Sequence, residues 1–211
     1  MSPGGGMPLV GALRAVRAVR REGDVVISAM GAAREWMALG THPLDWVFVP
    51  SSMGQATALG LGLALAQPER RVIVLNGDGG MLMNLGSLVT IGSLAPANLV
   101  VLLLDNQVYE VTGAQPTPGA AAGRVGGDEV DFAALARASG IGSVFRFTSL
   151  DAWVADLGRV FSAPGPTVAV LDVAPVPGAR GPRSPGPAPE RARAFIAALA
   201  SRRAVPPDPV A

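Results

Sequence analysis

The 211-residue chain contains no cysteine, which leaves it without a disulfide framework, a thiolate metal site or a thiol nucleophile. It contains no lysine either. All 17 basic residues are arginine, so neither a Schiff-base amine nor a P-loop lysine is available. The 16 acidic residues nearly cancel those arginines, and a net charge of +1 gives no electrostatic case for nucleic acid. The first residues lack an apolar segment followed by a cleavage site. No apolar run reaches membrane-spanning length without Gly or polar interruption. A secretory signal and a membrane span are therefore not expected, and a cytoplasmic setting is. What the chain does have is apolar bulk: 49% hydrophobic residues against 16% charged ones. At this length that predicts one domain around a large core rather than disorder.

The order of elements follows from the spacing of those apolar residues. A flexible leader at 1–8 precedes a helix over 9–21, where apolar residues recur at helical spacing with arginines between them. A β-branched run predicts a strand over 24–30, followed by a helix over 32–39 and a strand over 45–50. A small-residue helix at 53–66, a strand at 70–76, a helix at 81–94 and a strand at 97–106 come next. The Gly/Pro-rich stretch 111–129 predicts a loop. Helix 131–139, strand 143–147, helix 149–162 with Ser149 as N-cap and strand 166–173 complete the pattern. Strands alternate with helices and read as continuous apolar runs, so the predicted fold class is α/β: a three-layer α/β/α arrangement around a mostly parallel sheet. One domain is expected over 9–174, then a Pro/Gly-rich linker at 175–188, a C-terminal helix at 189–203 and a tail at 204–211.

Two stretches carry the chemistry: VIVLNGDGGMLMNLG from Val72 to Gly86 and LVVLLLDNQVYE from Leu99 to Glu110. In open parallel sheets, ligands collect outside the carboxyl ends of the strands. Asp78 and Asn106 both fall at such ends, on either side of one β-α-β crossover. Gly77, Gly79 and Gly80 allow a sharp turn and close approach of the backbone to a ligand, and the helix that follows points amide N–H groups at it. A carboxylate and an amide oxygen are hard donors that suit Mg²⁺, which takes its remaining ligands from phosphate and water. From spacing alone an ordinary turn explains the same residues equally well, and both readings stand.

Those residues resemble the diphosphate motif of thiamine diphosphate-dependent enzymes. With the neighbouring SSMGQATALGLGLALA and DNQVYEVTGAQPT, they are similar to the β subunit of sulfopyruvate decarboxylase and the matching half of phosphonopyruvate decarboxylase. The likeness covers roughly residues 24–120. It implies the thiamine diphosphate-binding fold over 9–174, with thiamine diphosphate and Mg²⁺ as cofactors. It also implies that the side chains of Asp78 and Asn106 and the carbonyl of Val108 bind the metal. Ser52, Met53, Gly54, Gly77, Gly79, Gly80 and Tyr109 would contact the cofactor. Met53 would be the apolar wedge that bends it, and the Ser51 carbonyl would accept a hydrogen bond from its amino group. There are three departures: Gly80 stands where a serine is usual, Ser51 where a glycine is common, and Glu110-Val111 where the sulfopyruvate enzymes have small residues.

The implied activity is a carboxy-lyase that decarboxylates a small 2-oxo acid of the phosphonopyruvate or sulfopyruvate type, giving an aldehyde and CO₂. The family activates its cofactor with a glutamate on a pyrimidine-binding domain, and neither Glu22 nor Glu35 has that context. A hetero-oligomer is therefore expected, in which a pyrimidine-binding, α-type subunit supplies the glutamate. Alternatives are an acetolactate synthase-like carboligase subunit and a non-catalytic subunit that stabilises a complete enzyme. His42, the only histidine, and Arg34, in a segment similar to the family's SRE, are secondary candidates for binding an anion. TGAQPT, residues 112–117, is expected to close over the site.

Overall fold

The computed structural model describes residues 5–49, 51–125 and 127–201. Eight strands follow one another as β1 (Val25–Ala29), β2 (Asp45–Phe48), β3 (Val72–Gly77), β4 (Leu99–Asp105), β5 (Val108–Tyr109), β6 (Gln115–Pro116), β7 (Ser143–Phe147) and β8 (Thr167–Asp172). Six of them form one sheet in the order β2-β1-β3-β4-β8-β7, with every pairing parallel. β5 and β6 form a small antiparallel ribbon beside it.

Helices cover both faces. α1 (Leu9–Val19) and α2 (Met30–Ala38) lie on one face, and α3 (Gln55–Ala66) lies on the other. Then come α4 (Asp78–Leu82), α5 (Gly86–Leu94), α6 (Phe132–Ala138), α7 (Leu150–Ser162) and α8 (Ala188–Ser201). The strands read as unbroken apolar runs because both their faces are buried. Val26, Ile73, Leu102 and Ala169 pack under α1, α2 and α7, while Ile27, Val74, Leu103 and Val170 pack under α3, α5 and α6. The three-layer α/β/α class predicted from the sequence is the observed one. The layers are also tied by polar contacts: the Trp153 indole N–H of α7 donates to the Ala12 carbonyl of α1 at 3.1 Å. Ser149 caps α7 as expected, accepting from the Ala152 N–H at 3.4 Å.

The chain departs from its sequence pattern in three places, and its expected C-terminal helix is present and docked. Of the leader expected at 1–8, residues 1–4 lie outside the described residues. Met7, however, is buried, and its backbone bridges the end of β8 through Asp172 O (2.8 Å) and Ala174 N (2.9 Å). The single helix expected over 81–94 is two helices, separated by a turn at 83–85 centred on Asn84. Its amide donates to Gly54 O at 3.3 Å, and its carbonyl accepts from the Ser87 hydroxyl at 2.7 Å. The loop at 111–129 contains β6, which pairs back onto β5. The C-terminal helix, α8, docks on the exposed edge of β2. Phe195 lies 5.5 Å from the Trp46 ring, and Arg191 sits over that ring while bonding to Val47 O. This covers an edge strand that would otherwise be open for pairing. The tail expected at 204–211, the last two residues of the expected C-terminal helix, and Pro50 at the end of the expected second strand lie outside the described residues. Among the described residues no helix is long and apolar enough to cross a membrane.

Candidate functional site

After β1 the chain moves outward to β2, then crosses back to β3 on the other side of β1. Such a reversal leaves a crevice at the carboxyl ends of the two inner strands, where doubly wound folds bind ligands. A cleft opens there. Its walls come from the end of β1 (Ala29, Met30, Gly31), the β2–α3 connection (Ser51 to Gly54), the β3–α4 junction and the β4–β5 turn.

Asp78 and Asn106 meet in this cleft. The parallel register pairs Gly77 with Leu104, so the residues that follow each strand stand side by side. The Asp78 carboxylate accepts from the Thr117 hydroxyl at 3.0 Å and from the backbone N–H groups of Gly79 and Asn106. It is only 2% exposed, and burial raises its pKa to about 6 against the pull of those hydrogen bonds. The Asn106 side-chain oxygen accepts from the Val108 N–H at 3.1 Å, which leaves a lone pair free, and its amide nitrogen donates to Glu110 at 3.4 Å. Val108 and Tyr109 line the same wall.

Every other residue singled out for the cofactor lines the cleft as well: Ser51, Ser52, Met53, Gly54, Gly77, Gly79 and Gly80. Met53 is 65% exposed, so it is not a core residue. Of the five non-glycine residues in the left-handed region among the described residues, Met30 (φ 52°) and Met53 (φ 44°) line this cleft, and Gln107 (φ 62°) sits between Asn106 and Val108, which also line it. Each costs about 1–2 kcal/mol in a residue with a Cβ, and such strain collects where a site is over-determined by its surroundings. Gly79 leaves room that a side chain would not, because a Cβ there would lie 2.5 Å from the Tyr109 ring.

Three residues in the cleft region escaped the sequence reading. Asn76 lines the cleft and is 1% exposed. Its amide donates to Thr57 Oγ1 at 3.1 Å, and its side-chain oxygen has no partner. Asp105 lies behind Asp78, and burial together with the Asp78 charge raises its pKa to about 7. Glu110 accepts from the Val176 N–H at 2.6 Å and faces Arg34 at 3.5 Å. The only sequence signal was polarity at the end of an apolar run, which Asn76 and Asp105 share with many strand ends.

Two secondary candidates do not belong to the cleft. His42 precedes β2 and so lies at the amino-terminal edge of the sheet. Its Nδ1 lies 2.9 Å from Arg20 and accepts from the Leu44 N–H, while Nε2 faces Glu22 at 3.3 Å. Arg34 is held by Glu35 at 2.7 Å, by the Arg180 carbonyl and by Glu110, so its charge is already matched. Of TGAQPT, Thr112 lines the cleft, and the last residue, Thr117, is fully buried behind Asp78.

The donors suit a hard divalent cation, being a carboxylate, an amide oxygen and a main-chain carbonyl. Asp78 has no ion pair among the described residues, and a cation would offset the charge that burial penalises.

Comparison with known proteins agrees with this geometry. The chain is 38% identical over 189 residues to a phosphonopyruvate decarboxylase of Streptomyces viridochromogenes, covering 88% of this chain and 45% of that one. It is 43% identical over 127 residues to the sulfopyruvate decarboxylase subunit beta of Methanothermobacter thermautotrophicus, covering 60% of this chain and 63% of that one. It thus spans roughly half to two thirds of the length of these relatives. An X-ray structure of a protein assigned as a thiamin diphosphate-dependent enzyme, from Mycobacterium smegmatis, superposes on 82% of this chain and 33% of its own, with a TM-score of 0.65 at 19% identity, a likeness of fold. Residues 28–171, which include every strand of the large sheet except part of β1 and the last residue of β8, match the thiamine pyrophosphate enzyme C-terminal TPP binding domain, and the chain belongs to that family.

Proposed function

We propose that this chain is the diphosphate-binding subunit of a thiamine diphosphate- and Mg²⁺-dependent decarboxylase. Its substrate would be a small 2-oxo acid of the phosphonopyruvate or sulfopyruvate type, released as an aldehyde and CO₂. A pyrimidine-binding, α-type subunit would complete the site and supply the activating glutamate. The reading includes a cytoplasmic setting. The observation that carries it is the buried acid Asp78, in contact with Asn106 at the switch-point cleft and without an ion pair among the described residues. The curated relatives bear decarboxylase names, and one is a beta subunit, which supports both the reaction and the need for a partner.

When bound, thiamine diphosphate supplies the electron sink that lets a 2-oxo acid lose CO₂. The work of this chain is to hold and surround it. Asp78, Asn106 and the Val108 carbonyl would hold Mg²⁺ against the diphosphate, with Gly77, Gly79 and Gly80 keeping the backbone close. Met53, large and adaptable, would wedge the cofactor into a bent shape, and the Ser51 carbonyl would accept a hydrogen bond from its amino group. Ser52, Gly54 and Tyr109 would complete the contacts. The apolar wall of Leu9, Met30, Leu104, Val111 and Val173 excludes water, which disfavours the substrate carboxylate's charge relative to the transition state. Glu35 is spent on Arg34 and does not line the cleft.

The test is CO₂ release from phosphonopyruvate and from sulfopyruvate. The chain co-expressed with a pyrimidine-binding partner should evolve CO₂ from at least one, and the chain alone from neither. No release by the assembled pair, with Mg²⁺ and thiamine diphosphate present, would contradict the proposal.

A further inference from the structure

We infer that Thr117, a residue outside the metal motif and 39 positions from Asp78, is a positioning residue that fixes the Asp78 carboxylate for metal binding. This rests on the reading of the cleft given above. Thr117 is fully buried, and its hydroxyl donates to Asp78 Oδ2 at 3.0 Å. Its backbone N–H donates to Gln107 O at 2.9 Å, and Gln107 is the residue between Asn106 and Val108. One residue therefore holds both halves of the motif, the acid after β3 and the turn after β4.

The backbone of Thr117 is itself fixed. The preceding residue, Pro116, pairs with Val108 across the β5–β6 ribbon. The Thr117 carbonyl accepts from the Ala120 N–H at 3.0 Å, and Gly123 lies so close that a Cβ there would come within 2.2 Å of that carbonyl oxygen. Its methyl faces Gly79 while its hydroxyl meets the acid. A hydroxyl has one proton to give, and here it goes to Oδ2. Partners of this kind orient ligands without touching the metal, and their loss typically weakens metal affinity by about 10- to 100-fold.

The experiment is calorimetric titration of Mg²⁺ into the chain assembled with its pyrimidine-binding partner, at saturating thiamine diphosphate. Thr117→Val, which keeps the shape and loses the hydroxyl, should weaken Mg²⁺ binding by about 10-fold or more. Thr117→Ser, which keeps the hydroxyl, should restore most of that loss, a rescue that a purely packing role would not give. Thr117→Ala replaces the valine variant if the latter does not assemble. Unchanged Mg²⁺ affinity in the valine or alanine variant, or a loss in the serine variant as large as in valine, overturns the inference while leaving the cofactor site standing. Absence of Mg²⁺-dependent binding in the unaltered complex overturns the cofactor reading and this inference together.

Discussion

Gly80 stands where the family resemblance leads one to expect serine, and the structure gives a steric reason. A Cβ at that position would lie 2.5 Å from Asn76 Oδ1. A buried amide thus occupies the space that a serine would need, and its unpartnered oxygen lies on the cleft wall. Gly80→Ser should force Asn76 aside. Overpacking of this sort costs about 1–3 kcal/mol, so the melting temperature should fall by about 2–10 °C. An unchanged melting temperature would show that Asn76 moves freely. Met53 makes the opposite prediction, because its side chain is mostly in solvent. Met53→Ala should alter stability by less than about 0.5 kcal/mol, while weakening thiamine diphosphate binding in calorimetry. Of the site residues, the meeting of Asp78 and Asn106 was legible because both follow the ends of neighbouring parallel strands, while their role as ligands came from the family resemblance. Asn76 and Thr117 were not legible. Their roles depend on contacts with Gly80 and Asp78 that exist only after the turns have folded.

At the scale of elements, the large sheet was legible because both faces of each inner strand are buried. β4, for example, has seven consecutive buried residues. The break after α4 was hidden, since residues 81–94 keep an apolar pattern through Met83–Leu85 and only the Asn84 side chain reveals the turn. The N-terminal bridge was hidden for a related reason: Met7 sits among glycines and proline and is ordered by backbone bonds to β8 rather than by its own propensity. Close packing of helices leaves a sharper test. A Cβ at Gly92 of α5 would come within 1.8 Å of the Ser139 carbonyl oxygen at the end of α6. Backbone cannot yield as a side-chain tip can, so Gly92→Ala should destabilise the fold by about 2 kcal/mol or more in chemical denaturation, despite alanine's better helix propensity. A gain in stability would mean that α5 and α6 are not packed as described.

For the whole molecule, two of the buried acids, Asp78 and Asp105, predict a pH response. Burial is the main cause of both raised pKa values, about 6 for Asp78 and about 7 for Asp105, against an ordinary 3.8. A carboxyl whose folded pKa is raised binds more protons folded than unfolded, so its contribution is complete below about 4 and is lost as pH rises through the folded values. Without metal, thermal melts should therefore show stability from these groups declining between about pH 4 and 7. A metal held by Asp78 would take the deprotonated acid, so on the proposed function added Mg²⁺ and thiamine diphosphate should stabilise the assembled protein most above pH 7. Equal stabilisation at pH 5 and pH 8 would argue against Asp78 as a ligand. Charge burial and the switch-point cleft both single out that carboxylate. The most direct measurement is thus calorimetric binding of thiamine diphosphate, with and without Mg²⁺, to the assembled unaltered chain and to its Asp78→Ala variant. The account predicts Mg²⁺-dependent binding to the former and none to the latter; equal affinity in both would contradict it.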